Sequence, residues 1–162
     1  MLSRFSFYKN AKTKLITLTA GAILFSVLYC LIFIGGPLHI VSAIGTEPVI
    51  SYLLKSGYKT DECCGFREWT PLHVAAAYGN EKAVRLLVDN GANINSTNSE
   101  NYETPLHYAV LYGRFNTVKA LLEKGSDVNS IAGDSQQTPL MYAKDKGNRK
   151  IIEYLEMKAN PE

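Results

Sequence analysis

At 162 residues, 46% of them hydrophobic and 20% charged, the chain is long enough for one ordinary domain, or one small domain and an appendage. Its net charge of +2 is unevenly spread: Arg4, Lys9, Lys12 and Lys14 stand in the first 14 positions without an acid, leaving 13 basic against 15 acidic residues beyond. A nucleic-acid binder concentrates Lys and Arg on its folded face, and here the folded part is slightly acidic, so no nucleic-acid partner is expected.

The first element is LITLTAGAILFSVLYCLIFI, residues 15–34, without a charge. At helical rise this run measures about 30 Å, the thickness of a hydrocarbon core. It predicts a transmembrane helix in which Thr17, Thr19 and Ser26 bond back to helix carbonyls. The same residues admit two other readings, a cleaved signal peptide of a secreted or periplasmic protein and a buried helix of a soluble one. The run exceeds the roughly 7 to 15 residues of a signal peptide's apolar region. The tolerable cleavage site follows Val41-Ser42-Ala43, and Cys30 follows Tyr29 where a lipoprotein signal needs a small residue. The reading adopted is a retained signal anchor. Four basic residues precede it, against Lys55 and Lys59 in the 25 residues that follow. The positive-inside rule then puts the arm of residues 1–14 in the cytoplasm and the remainder on the extracytoplasmic side, facing the periplasm in a bacterium.

Beyond the span the chain repeats. TPLHVAAAYGNEKAVRLLVDNGANIN begins at Thr70, TPLHYAVLYGRFNTVKALLEKGSDVN at Thr104 and TPLMYAKDKGNRKIIEYLEMKAN at Thr138, a constant spacing of 34. The same spacing backwards reaches Gly36, and PLHIVSAIGTEPVISYLLKSG aligns without a gap: Pro37 with Pro71, His39 with His73, Gly45 with Gly79, Leu53 with Leu87, Gly57 with Gly91. Four repeats are expected, over about 36–69, 70–103, 104–137 and 138–160, within a domain spanning 37–159. Cleavage after Ala43 would remove most of the first helix of a repeat that is in register.

Local chemistry explains the recurring residues. Pro37, Pro71, Pro105 and Pro139 suit a first helical position, and Thr70, Thr104 and Thr138 suit the N-cap before it. Gly45, Gly79, Gly113 and Gly147 stand where a short first helix needs a left-handed terminator, and Gly91 and Gly125 close the second helices. Ala75, Ala76 and Ala109 let helices approach. Val84 with Leu87, and Val118 with Leu121, make an apolar stripe on the second helix. The last helix is charged along one side, as suits an end repeat. The first repeat is greasy, with Ile40, Val41, Ile44, Val49, Ile50 and Tyr52, and is expected to be shielded by the span beside it.

TPLH, a short Ala-rich helix closed by Gly, and a V-x-x-LL helix closed by Gly-Ala-x-Ile/Val-Asn resemble the ankyrin repeat family over residues 37 to about 159. The resemblance implies an all-α solenoid of four helix-turn-helix repeats with β-turn fingers, here preceded by one N-terminal transmembrane helix. It also implies that His39, His73 and His107 hydrogen-bond between repeats rather than form a metal ladder. Two departures stand out. The family's period is 33, and it prefers Gly two residues before the Thr, where this chain has Glu68, Tyr102 and Gln136. Gly65, Asn101 and Gly133 lie nearby and predict a shifted finger turn.

Ankyrin stacks are similar in recognising proteins through fingers and exposed first-helix positions, a concave surface. In this sequence those helix positions are Ala43 and Ile44, Ala77 and Tyr78, Leu111 and Tyr112, and Asp145 and Lys146. The finger positions are Arg67, Glu68, Trp69, Asn101, Tyr102 and Glu103. The expectation is a non-catalytic protein-binding module, in a scaffold, inhibitor or immunity-type role, on an aromatic patch with a charged rim. A different class, an assembly accessory of another membrane protein, would use Ala20-Gly21-Ala22 and Ser26 as a small-residue packing face in the span. No nucleophile motif, phosphate loop or paired-carboxylate spacing occurs, and no enzyme, cofactor, metal or small-molecule substrate is expected. The adjacent Cys63 and Cys64 lack zinc-ligand spacing, and Asn95-Ser96-Thr97 matches a glycosylation acceptor.

Overall fold

The structure, a computed structural model, describes residues 37–44, 47–63, 68–133 and 136–160. The expected arm, the expected span, Cys30, Cys64, Gly65 and Arg67 lie outside the described residues, and so does the side chain of Ile44. Among the described residues no helix is long and apolar enough to cross a membrane.

Eight helices follow one another in pairs: α1 (Pro37–Ile44) with α2 (Glu47–Lys55), α3 (Pro71–Tyr78) with α4 (Glu81–Asp89), α5 (Pro105–Leu111) with α6 (Phe115–Glu123), and α7 (Pro139–Asp145) with α8 (Arg149–Ala159). The described part is all-α, with one isolated bridge between Ala132 and Gln137. First helices pack in a row, α1 on α3, α3 on α5 and α5 on α7, and second helices make a parallel row behind them.

Each helix starts and stops for reasons visible in its residues. Thr70 and Thr138 are extended, and their hydroxyls accept from the amides of His73 and Met141 at 3.4 Å. Gly79 ends α3 at φ 81°, a left-handed backbone conformation that favours glycine, and the Arg114 side chain lies close over it. The core forms where the two rows meet. Leu72, Ala75, Val84, Leu87, Leu106, Ala109, Val118, Leu121, Ala143, Ile151 and Leu155 are completely covered. Burying one such leucine contributes about 1.5–3 kcal/mol, and because the helices pack on those of the adjacent repeats as well as on their own partners, part of that energy couples repeats.

The fingers differ from the expected shifted turn. Glu68, Tyr102 and Gln136 themselves take left-handed φ of 49°, 55° and 54°, so the three non-glycine residues occupy the conformation the family reserves for glycine. Asn101 takes no positive φ. Gly133 does, at 51°, and a Cβ there would stand 2.8 Å from the Asn101 carbonyl oxygen. The third finger closes through backbone bonds between Ala132 and Gln137. In the second, Asn98 holds the position of Ala132: its amide donates to the Glu103 carbonyl at 3.1 Å and its Oδ1 accepts from the Glu103 amide at 2.7 Å.

Candidate functional site

The histidines are occupied by the fold. Nδ1 of His73 accepts from the Thr70 amide at 3.2 Å, and its Nε2–H donates to the carbonyl of Glu103 in the next finger at 3.1 Å. His107 repeats this with Thr104 at 3.2 Å and Gln137 at 3.2 Å, and Nε2 of His39 reaches the Trp69 carbonyl at 2.8 Å. These partners select the neutral tautomer carrying its proton on Nε2. Burial lowers the pKa of all three, that of His73 to about 4, against weaker opposing pulls from the backbone carbonyls they bind. His39 differs in one respect: among the described residues its buried Nδ1 has no hydrogen-bond partner.

Side chains tie repeats together elsewhere too. Nδ2 of Asn80 donates to the Ser42 carbonyl at 2.8 Å, and Nε of Arg114, one repeat on, to the Ala77 carbonyl at 3.0 Å. Oδ1 of Asp61 accepts from the Asn93 amide at 2.9 Å, and Oδ1 of Asn95 from the Asp127 amide at 3.0 Å. On the second helices Arg85 bridges Glu81 at 3.0 Å and Glu123 at 2.7 Å, and Lys124 pairs with Asp89.

The residues expected to bind a partner divide into four groups. Tyr78, Tyr102 and Tyr112 are exposed by 61%, 60% and 49%, and Glu68, Asn101, Asp145 and Lys146 are exposed beside them. Leu111, Ala43 and Trp69 are half-buried. Ala77 and Glu103 are buried and leave the expected surface, and the Glu103 carboxylate accepts from the Tyr142 hydroxyl at 2.7 Å. Burial and that carboxylate push the Tyr142 phenol up. Arg67 and the Ile44 side chain fall outside the described residues.

Tyr108 was not singled out by the sequence, yet it joins the finger to the helix. Its ring lies 4.4 Å from Trp69 and 6.4 Å from Tyr112, stacked on the latter at 17°. The phenol oxygen of Tyr108 accepts from Nδ2 of Asn98 at 3.1 Å. A ribbon Trp69–Tyr108–Tyr112 therefore runs from the first finger up α5, buried in the middle and open at Tyr112. The available signal was the i, i+4 spacing of Tyr108 and Tyr112 on one helix. Met141 and Ile131, exposed by 50% and 53%, are further apolar surface that the sequence reading passed over.

Short paired helices, stacked in register and locked by Thr–His–carbonyl links, define an α-helical repeat array. The family model of ankyrin repeats (many copies) matches residues 72–122 and 106–156, together more than half of the chain, which belongs to the ankyrin repeat family. Such repeats are protein–protein interaction modules. No curated protein matches the chain.

Proposed function

We propose that this chain is a non-catalytic protein-binding module held at a membrane by residues 15–34, with the arm of residues 1–14 in the cytoplasm and the repeat domain of residues 37–159 on the extracytoplasmic side. The partner docks on Tyr78, Tyr102 and Tyr112, backed by Trp69 and rimmed by Glu68, Asn101, Asp145 and Lys146. One observation carries the site: Tyr102 is exposed by 60% in a left-handed conformation at φ 55° that glycine would adopt more easily. What its ring adds is surface, not a better turn. The two helix tyrosines stand one repeat apart at equivalent positions, and large exposed aromatics at an interface centre carry most binding energy. The tether rests on twenty uncharged residues that end just before the first repeat, and the orientation on the four basic residues ahead of them.

Two measurements test this reading. A reporter enzyme active only outside the cytoplasm, fused after Glu162, is expected to give an active, full-length, membrane-bound product. A soluble product about forty residues shorter, or an inactive membrane-bound one, overturns the tether or its orientation. A photo-crosslinking residue at position 112 is expected to give a discrete adduct that Tyr78→Ala weakens, while one at Glu153 on the exposed side of α8 gives none. An adduct that persists from position 153 alone places the partner elsewhere.

A further inference from the structure

A groove of about 280 Å³ opens beside the second-helix row, walled by Tyr78, Arg114, Phe115, Asn116, Thr117 and Lys150. Its composition is one-sided: two cations, two aromatic rings and no carboxylate. Among the described residues neither Arg114 nor Lys150 has an acidic partner. Arg114 bonds the Ala77 carbonyl through Nε, and Nζ of Lys150 sits 4.0 Å above the Phe115 ring.

The groove lies at the start of α6, and this start differs from its equivalents. In α4 and α8 the residue before the helix is asparagine, whose Oδ1 accepts from the third helical amide, Asn80 from Ala83 at 3.2 Å and Asn148 from Ile151 at 3.4 Å. Before α6 that residue is Arg114, which makes no side-chain cap. The third amide here belongs to Thr117, which is exposed by 1% and whose hydroxyl has no hydrogen-bond partner. Thr117 is itself one of the residues that line the groove. A nine-residue helix therefore starts with its positive end uncapped, under two unpaired cations and next to an unsatisfied hydroxyl.

We infer that this groove receives the carboxylate of an acidic protein segment whose neighbouring side chains are apolar. The carboxylate takes the place that Asn80 and Asn148 fill with their own oxygen, between Arg114 and Lys150. The flanking apolar groups lie on Tyr78 and Phe115. Because Tyr78 belongs both to this groove and to the surface proposed above, the inference rests on that reading and extends it, giving the partner's charge at the repeat 2–4 side of the interface.

The test uses full-length protein in detergent and a fluorescein-labelled Leu-Glu-Leu-Glu-Leu peptide, followed by anisotropy. The expected result is binding about tenfold tighter than that of the matching Gln peptide. Arg114→Asn supplies the cap found in the other repeats and keeps the fold. It is expected to weaken the Glu peptide about three- to tenfold and leave the Gln peptide unchanged, and Lys150→Gln and Thr117→Val to act in the same direction. Equal binding of the two peptides, or an Arg114→Asn variant that binds like the parent, overturns the inference. Two further results also overturn it: millimolar inorganic phosphate occupying the site with the same sensitivity to Arg114→Asn while the peptide does not bind, or variant-sensitive binding seen only with phosphatidylglycerol vesicles. If position 112 crosslinks a partner that Tyr78→Ala releases but Arg114→Asn does not, the module reading stands and the acidic segment falls.

Discussion

The two middle repeats and the first repeat carry the same proline, histidine, glycine and leucine positions at the same spacing, yet they are not equivalent. In the middle, His73 and His107 are bonded on both ring nitrogens, and each joins its own N-cap threonine to the finger of the next repeat. In the first, His39 bonds forward to the Trp69 carbonyl while its Nδ1 has no partner among the described residues, and Val49 and Tyr52 are 43% and 69% exposed on its second helix. A repeat motif specifies an interlocking part, and how much of the interlock is made depends on what stands on either side.

The largest expected effect is on the core that joins the repeats. Leu87→Ala or Leu121→Ala is expected to cost about 2–5 kcal/mol, since both side chains are completely covered. Leu53→Ala, at the equivalent but half-buried position of the first repeat, is expected to cost less than half as much. Urea denaturation of the three variants measures this, and equal losses would erase the difference between the regions.

The next effect is on pH. Each histidine has a folded pKa below its ordinary value near 6.5, so the unfolded chain takes up protons first as pH falls. Stability is therefore fully present above about pH 6.5 and declines below it, His73 contributing until about pH 4. For His73 alone the loss amounts to about 3 kcal/mol across that window. Protonation also removes the Nδ1 lone pair that accepts from Thr70. Denaturation midpoints at pH 7 and pH 5 should differ less in His73→Gln than in the parent.

Two smaller effects separate repeats that differ in one residue. Arg114→Asn is expected to raise stability by about 1 kcal/mol by capping α6 as Asn80 caps α4. Tyr102→Gly is expected to raise it by about 0.5–1 kcal/mol, the cost of a left-handed L-residue less the entropy glycine brings to the unfolded chain. Thermal melts read both, and a loss of stability in Tyr102→Gly would mean that the tyrosine ring supports the finger after all.

Much of the molecule was legible in the residues. A spacing of 34, Pro after Thr, and Gly after eight or so helical positions are local signals, and local backbone preferences are enough to set where these helices begin and end. The Leu87 and Leu121 stripes were legible for the same reason, since helical periodicity alone decides which face is apolar. The candidate surface was only half legible. Ala77 and Glu103 occupy positions that the family resemblance marks as open, yet both are buried, and the Glu103 carboxylate is held by Tyr142, 39 residues away.

The finger turns show where the limit lies. Without glycine at 68, 102 and 136, intrinsic preference points to a displaced turn. The histidine bonds to the carbonyls of Trp69, Glu103 and Gln137, each immediately following, hold the turn in place. Contacts between repeats can override a preference of about 1–2 kcal/mol per residue. By itself the sequence determined the helices, their period and their apolar faces, because these depend on neighbours a few positions away. Only the tertiary structure decided which side chains remain exposed, that each histidine ring is bonded to the finger of the next repeat, and that α6 begins uncapped beneath Arg114 and Lys150. Each of those depends on atoms brought together from separate repeats.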